Sequence, residues 1–491
     1  MGIVIPAINW ASIAPELVIF STAMAVLLLG AFFPRISSWF IAGISLLGVF
    51  LAFVATVLLW GSSELAFSNM LALDNYGLFF NFIFLICTAL TILASIDYFG
   101  KMSEPVEHPE YYGLLLFACV GMMFMAAGAD LITIFLGLET MSIAIYILAG
   151  FVKNDLKGNE AAIKYLLLGA FSTGFLLYGI ALIFGATGST NLVAIYKHLS
   201  LSANVSFPML LFGMALLIVG FGFKIASVPF HMWTPDVYEG APTVVTAFMA
   251  AGVKAAAFAA FLRVFVFALP SLQPNWTAIL WVLAILTMTI GNLAALLQEN
   301  IKRMLAYSSI AHAGYIMIGM VAAKHAANDI GTYSILYYLL AYTFMNMGAF
   351  IVVILYGRHA EDNLNIGDYA GMGYKYPVLG VTMAIFMFSL AGIPPTAGFV
   401  GKFYVFAAAI KGGFIDLAII GVINSVLSVY YYLRVTVMIY MREPAADMPN
   451  LKFSRTATLA TTIAALATLI LGIFPEIFIT LARQSVSMIL G

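Results

Sequence analysis

From Pro242 to Ala268 the chain reads PTVVTAFMAAGVKAAAFAAFLRVFVFA, with Lys254 and Arg263 as its only charges. Roughly 20 mainly apolar residues suffice to cross bilayer hydrocarbon as a helix. Lys254 stands at the middle of this run, about 12 residues from either end, or roughly 18 Å at 1.5 Å per residue. A lysine stem cannot snorkel that far. The stretch therefore reads as a spanning helix with an ionisable group at its centre. The small side chains around Lys254, from Phe248 to Phe258, leave room for water or for a close neighbouring helix.

The whole chain has the same character. Of 491 residues, 21 are Lys or Arg and 22 are Asp or Glu, so 9% are charged, against about 25% in an average soluble domain. Hydrophobic residues make up 63%. No soluble fold could hide that much apolar surface. Disorder is excluded, because it requires low hydrophobicity and high charge. A formal net charge of −1 and the lack of a basic run exclude a nucleic-acid binder. Two cysteines, Cys87 and Cys119, both in apolar stretches, exclude a disulfide scaffold. An outer-membrane barrel would alternate in polarity over segments of about 10 residues, and the apolar runs here are about twice that long.

Fourteen such runs are expected to span: 13–33, 39–60, 76–96, 111–127, 131–151, 163–186, 208–230, 242–268, 277–298, 304–323, 333–357, 378–410, 414–440 and 457–481. The fold class is an all-α polytopic membrane protein. The first run is too long for a signal peptide and carries Glu16 near its start, so it is read as a retained helix. Lys and Arg in the loops set the orientation. The loops after odd-numbered segments hold eleven (Arg35, Lys101, Lys153, Lys157, Lys302, Arg303, Arg358, Lys375, Arg442, Lys452 and Arg455). The opposite loops and the C-terminus hold four (Lys197, Lys324, Lys411 and Arg483). This bias places both termini on the outer side.

Segment 7 is interrupted at Pro229 and segment 12 at Pro394 and Pro395, five segments apart. An odd offset reverses direction across the membrane, so segments 4–8 and 9–13 form two inverted five-helix repeats. Interrupted helices at matching places in inverted halves point to a transport site. Proline is also commoner in membrane helices than in soluble ones, but here each break lies near a lysine. The expected organisation is one transmembrane unit, 1–491. It comprises N-terminal helices 1–3 (1–110), a first repeat (111–268), a second inverted repeat (277–440) and a C-terminal helix 14 (457–491).

Ionisable groups in mid-membrane are costly and mark function by default. Lys254 is the foremost candidate. Glu139 lies near the middle of segment 5, where burial would keep a lone carboxyl protonated and a nearby lysine would return it to the charged form. Two unit charges ~4 Å apart at an effective dielectric of ~20 interact by about 4 kcal/mol, enough to move a proton when the pair forms or breaks. A structural hydrogen bond to a neighbouring helix is the competing reading for Glu139. Lys224 precedes Pro229 by five residues, where the break loosens the helix and frees a carbonyl. Lys402 follows the Gly392–Pro395 break by seven residues. Snorkelling competes for both lysines.

His312, in segment 10, is the counterpart of Glu139 in the other repeat and can relay protons near neutral pH, or be a satisfied core histidine. His231, just after the segment 7 break, could pass protons to Lys224 or be interfacial. Arg263, Arg434, Glu16, Glu299 and Glu476 lie near helix ends, where snorkelling, helix packing or subunit contact explains them. Glu160 and Lys164 form an i,i+4 pair. The 24 tyrosines and 6 tryptophans fit interfacial belts.

The sequence holds no phosphate-binding Gly-x-x-x-x-Gly-Lys-Ser/Thr loop, no dinucleotide glycine turn and no cysteine cluster for iron–sulfur. No cofactor-binding or metal site is expected in the chain. What it moves is most simply protons, along Glu139, Lys224, Lys254, His312 and Lys402.

At these residues the chain resembles the antiporter-like subunit N (chain 2) family of respiratory complex I, the proton-pumping NADH:quinone oxidoreductase. The resembling stretches are Leu136-Gly-Leu-Glu-Thr-Met-Ser142, Glu160-Ala-Ala-Ile-Lys-Tyr165, Phe223 to Pro242, Leu305 to Tyr315 and Gly392 to Phe403. The run from His231 to Gly240, His-Met-Trp-Thr-Pro-Asp-Val-Tyr-Glu-Gly, looks like subunit N rather than the sister subunits L and M. Segments 1–3 and 14 are similar in length and polarity only. Most subunit N chains have Pro where this one has Val244.

The resemblance implies that Glu139 and Lys224 are a charge-switching pair at broken helix 7. It makes Lys254 a central relay and Lys402 the gate toward the outside, with His231 and His312 as auxiliary relays. It also implies a translocase subunit with no redox centre of its own, driven by quinone reduction elsewhere in the complex. NADH, FMN, iron–sulfur clusters and quinone would belong to other subunits. Partners would be the antiporter-like sister subunits, the small K-type subunit and lipids, with no nucleic acid. The location would be the bacterial cell inner membrane, or an organelle inner membrane. The rival readings are a subunit of a multi-subunit cation/proton antiporter or of a membrane-bound hydrogenase, and a structural scaffold subunit. Trp233 to Glu239 argues against the former, and the separated buried charges argue against the scaffold.

Overall fold

The computed structural model describes residues 9–33, 36–101, 109–201, 206–326, 329–357, 361–444, 450–451 and 453–486. Arg35, Arg358 and Lys452, which enter the loop charge count, lie outside the described residues, as does the side chain of Lys101. The helices, in chain order, are α1 (Ala14–Phe32), α2 (Ser38–Leu58), α3 (Asn75–Ser95), α4 (Pro109–Ala127), α5 (Leu131–Ala149), α6 (Leu156–Thr187), α7 (Leu192–Leu201), α8 (Phe207–Ile225), α9 (Trp233–Gly240), α10 (Thr243–Phe248) and α11 (Lys254–Leu262). They continue as α12 (Gln273–Leu296), α13 (Ile301–Ala322), α14 (Ile330–Tyr356), α15 (Met372–Lys375), α16 (Pro377–Ala391), α17 (Ala397–Lys411), α18 (Ile415–Met441), α19 (Arg455–Ile473) and α20 (Pro475–Ser485). Thirteen continuous helical stretches among the described residues are long and apolar enough to cross a membrane. Broken helix 12, made of α16 and α17, supplies the fourteenth expected crossing.

Many of the helices begin where a short polar side chain satisfies a free N–H. Asp74, Asp130, Asp155, Asn300, Asp329 and Ser454 cap α3, α5, α6, α13, α14 and α19 in this way. The breaks fall where the sequence placed them. Helix α8 ends on Ala226 in the left-handed region (φ 61°), and α16 ends on Gly392 (φ 86°). Each is followed by a proline bond in the cis form, Val228–Pro229 and Pro394–Pro395.

Stretch 243–268 departs from a plain helix. Between α10 and α11 lies a wider, π-helical turn, Met249–Val253, and a second one, Arg263–Ala268, follows α11. Such turns insert an extra residue into the helical repeat. The final expected crossing, 457–481, also differs: α19 stops at Ile473, and Pro475 opens the separate helix α20, because proline cannot continue the hydrogen-bond ladder.

The interior is formed by α10–α11, α13 and α14, whose membrane windows are buried almost throughout. Phe50, Leu58, Leu167, Phe171, Val426 and Tyr430 project outward, as a lipid-facing surface requires. In the first repeat α4 and α5 cross closely at Gly121, where a Cβ would lie 2.6 Å from the Gly137 carbonyl oxygen. In the second, α12 and α13 do so at Gly291, where a Cβ would lie 2.7 Å from the Ala311 nitrogen. Small residues at matched crossings are how membrane helices bring their backbones together.

A two-stranded hairpin, β1 (Glu64–Ala66) and β2 (Leu71–Leu73), pairs Leu65 with Ala72 and lies against the α4–α5 connection through Ala129 N–H to Met70 O. The tyrosines depart from the expected belts. Tyr76, Tyr165, Tyr238, Tyr315, Tyr338 and Tyr342 are fully buried.

Candidate functional site

Lys224 lies in the last turn of α8, 2% exposed. A cation is favoured there by the helix dipole. Its ammonium donates to Ser142 Oγ at 2.7 Å and to the Tyr146 hydroxyl at 3.2 Å, both on α5. It also faces the rings of Tyr146 and Tyr165. Trp233 stacks on Tyr165 with centroids 4.3 Å apart and donates its indole N–H to the Phe223 carbonyl at the end of α8. Thus α9 and α6 close the lysine's surroundings. Glu139, one turn from Ser142 on α5, instead accepts from Thr173 of α6 at 2.9 Å. Among the described residues Glu139 and Lys224 are not in hydrogen-bond contact: the Ser142 hydroxyl that receives Lys224 donates to the Leu138 carbonyl, and Glu139 meets Thr173. His231 sits half-buried in the break itself, and its Nδ1 finds no hydrogen-bond partner among the described residues.

Lys254 opens α11 directly after the first π-helical turn and is 1% exposed. Its ammonium donates to the Ser309 carbonyl of α13 at 2.5 Å and to the Ser309 hydroxyl, and it faces the ring of Tyr342. Next to Ser309, the Ser308 hydroxyl bonds the Tyr432 hydroxyl of α18. Tyr432 in turn bonds His312 Nε2 at 3.0 Å, and Tyr338 of α14 bonds His312 Nδ1 at 2.8 Å. A neutral imidazole between two hydroxyls accepts at one nitrogen and donates at the other.

Lys402, on α17, is 3% exposed. It reaches back across the break to donate to the Ala391 carbonyl at 2.9 Å and to Ser425 Oγ at 2.9 Å. Its stem passes over Gly392, where a Cβ would lie 2.8 Å from Lys402 Cδ, so only glycine fits. The ammonium lies over the Tyr315 ring, 4.8 Å from its centroid, and Tyr315 packs edge-on to His312.

The structure therefore brings Lys254, His312 and Lys402 together through Ser309, Ser308, Tyr432 and Tyr315. Lys224, on Ser142 and Tyr146, and Glu139, on Thr173, lie apart from this set, both against α5. The two lysines at the breaks are placed differently: Lys224 precedes its break, and Lys402 follows its own and caps the helix end before it. Lys402 thereby satisfies a carbonyl at a helix end, whereas Lys224 meets its own helix end through the dipole alone and spends its hydrogen bonds on α5.

Several polar groups were not singled out in the sequence. Arg263, expected at a helix end, is fully buried and pairs with Asp74 through both guanidinium nitrogens at 2.8 and 2.9 Å. Its Nε also donates to the Ala126 carbonyl. Glu16, also assigned to a helix end, is 4% exposed and accepts from Asn81. Lys302, counted as a loop charge, is buried against Glu361 at 2.7 Å. Glu361 also accepts from the Thr243 N–H at the start of α10 and from the Tyr98 hydroxyl. Lys164 pairs with Glu160 as expected, and also with Asp236 of α9. Arg303 of α13 grips Asp236 and Glu239. Among the described residues no three His, Cys, Asp or Glu side chains converge as a metal-binding group.

Comparison with known proteins places this geometry in a context. A family model described as NADH:quinone oxidoreductase/Mrp antiporter, TM matches residues 128–428. The chain is 51% identical over 482 residues to the NADH-quinone oxidoreductase subunit N of Trichlorobacter lovleyi, covering 98% of each chain. It is similar to a chain in the structure of respiratory complex I from Thermus thermophilus with bound aureothin, at 35% identity and a TM-score of 0.79 over 96% of this chain and 99% of that one. A chain of the Mrp complex from a Dietzia species shares the fold at 19% identity and a TM-score of 0.85, over 98% and 97%.

Proposed function

Because the chain belongs to the NADH:quinone oxidoreductase/Mrp antiporter membrane family, we propose that it carries protons across the membrane as an antiporter-like subunit of an NADH:quinone oxidoreductase. The observation that carries this reading is a pair of buried polar contact sets on α13, Lys254 on Ser309 and Ser308–Tyr432–His312, which meet at adjacent residues of the helix, with Lys402 and Tyr315 packed at the far end. Buried ionisable groups cost stability, and a line of them across two broken-helix halves is what proton transfer needs.

Each group has a role in this reading. Lys254 is the central relay, holding or releasing a proton without a fixed carboxylate partner. Ser309, Ser308, Tyr432 and His312 pass protons by exchanging donor and acceptor roles. Lys402 gates one end. Glu139 and Lys224 switch charge at the other end: a proton arriving on Glu139 weakens the attraction that holds Lys224 charged. His231 is an auxiliary relay in the break. Quinone reduction in other subunits, which hold NADH, FMN, iron–sulfur clusters and quinone, supplies the driving energy. The partners are antiporter-like sister subunits, a small K-type subunit and lipids. The setting is a bacterial inner membrane, with both termini on the outer side as the loop lysines and arginines favour.

The test starts from mild-detergent purification out of native membranes. NADH:quinone reductase activity should co-migrate with the chain. Reconstituted into vesicles, the assembly should acidify the lumen with wild-type chain and lose that contribution with Lys254→Met. If the chain comes away with hydrophobic subunits alone and exchanges cations for protons, the antiporter reading replaces this one. If Lys254→Met pumps normally, the chain is a scaffold.

A further inference from the structure

Outside the two repeats, where α1 starts and α3 begins, two buried side chains have one contact and two loose ends. Asn81 Nδ2 donates to Glu16 Oε1 at 3.2 Å. Glu16 Oε2 and Asn81 Oδ1 are both buried and without any hydrogen-bond partner among the described residues. The residues themselves are 4% and 3% exposed. Both orphans are acceptors as long as Glu16 is a carboxylate.

No neighbouring cation among the described residues offsets that carboxylate. Asp74, beside them, has both oxygens occupied: Oδ1 by the Gly77 N–H at 2.7 Å and by Arg263 Nη2, and Oδ2 by Arg263 Nη1. The guanidinium is spent on Asp74 and on the Ala126 carbonyl. A buried carboxylate with a single neutral amide for company is costly.

One proton resolves all of this. On Oε2 it removes the charge and turns an orphan acceptor into a donor. The complementary acceptor, Asn81 Oδ1, is on the same amide that already donates to Oε1. Acid and amide then share two hydrogen bonds in a closed ring. We propose that Glu16 and Asn81 form a carboxylic acid–amide pair, a proton-binding site in the first three helices separate from the lysine axis. The site borders a cavity of about 10 Å³, room for about one water molecule, lined by Glu16, Asn81, Asp74, Gly77, Phe124 and Ala127. That cavity is the route by which the proton exchanges: the acid gives it to water, leaving carboxylate and hydronium, and takes it back.

This inference does not rest on the proposed relay, and its test reads the carboxyl directly. Infrared spectra of the membrane-embedded assembly are compared between wild type and Glu16→Gln. Glutamine keeps the same ring, donating its amide N–H to Asn81 Oδ1, so the fold is retained. The expected difference is the loss of one protonated-carboxyl C=O band, which moves to lower frequency in D2O in the wild type. Asn81→Leu should shift the same band upward by removing the ring. A difference spectrum containing carboxylate stretches and no acid carbonyl overturns the proposal. A band that ignores D2O overturns the exchange through the cavity.

Discussion

Lys254 and Ser309, 55 residues apart in sequence, meet where the start of α11 is buried against α13, and among the described residues the serine alone accepts the ammonium, through its carbonyl oxygen and its hydroxyl. Among the described residues no carboxylate pairs with this lysine. An ammonium held only by neutral oxygens gains little Coulomb energy for its desolvation. Lys254→Met should therefore leave thermal stability unchanged or raised while cutting proton transfer at least tenfold. Thermal unfolding in detergent and lumen acidification in vesicles check the two halves separately.

Tyr432 stands between the Ser308 hydroxyl and His312 Nε2. Tyr432→Phe keeps the ring and removes the link. Pumping should fall several-fold with little change in the amount of assembled protein. An unchanged proton-to-electron ratio would show that protons take another way around.

Arg263 and Asp74 are 0% and 1% exposed at their side chains. Removing one partner of a buried pair leaves an uncompensated charge and costs about 3–5 kcal/mol. Arg263→Met and Asp74→Leu should each lower the melting temperature sharply. The double variant should recover much of the loss, and a double-mutant cycle measures the coupling.

Glu361 ties Lys302 of α13 to the first turn of α10, through Lys302 Nζ and the Thr243 N–H and hydroxyl. Its side chain is 30% exposed, so water takes up part of any loss. Glu361→Gln keeps the shape and removes the charge, and should cost about 1–3 kcal/mol. The checking measurement is protease resistance of the loop after α14 together with thermal unfolding.

Gly398, in the first turn of α17, lies so close to α16 that a Cβ would overlap the Ser389 carbonyl. Gly398→Val should push α17 away from α16 and move Lys402 off the Ala391 carbonyl. Loss of about 1–3 kcal/mol from overpacking and impaired pumping are expected together. Equal activity and stability to wild type would contradict the close approach.

Hydropathy made the crossings and both breaks legible, because bilayer thickness and proline chemistry act on local sequence. Glu139, Lys224, Lys254, His312 and Lys402 stood out because an ionisable group in an apolar run is rare. Their partners did not. Ser309, Tyr432, Tyr338 and Tyr315 look like ordinary membrane-helix composition until tertiary packing aligns them. Arg263 and Glu16 were passed over because near helix ends snorkelling or packing already accounts for a charge. In the fold, Asp74 receives Arg263 at the start of α3, and a cavity walled in part by hairpin residues encloses Glu16. Lys302 was misread for a related reason: Glu361, 59 residues on, folds back over the helix end. Nothing local distinguishes a terminus that faces water from one that another segment covers.

The two π-helical turns, Met249–Val253 and Arg263–Ala268, bracket the nine residues from Lys254 to Leu262. Each turn holds one residue more than an α-turn and so offsets the angular phase of the succeeding residues by about 100°. Sliding such a bulge past Lys254 along the backbone would swing the ammonium through nearly a third of a revolution while both ends of the rod stay anchored, Thr243 by Glu361 and Arg263 by Asp74. The helix would then turn like a camshaft, with its lobe at Lys254 and its bearings at the Thr243–Glu361 hydrogen bonds and the Arg263–Asp74 ion pair.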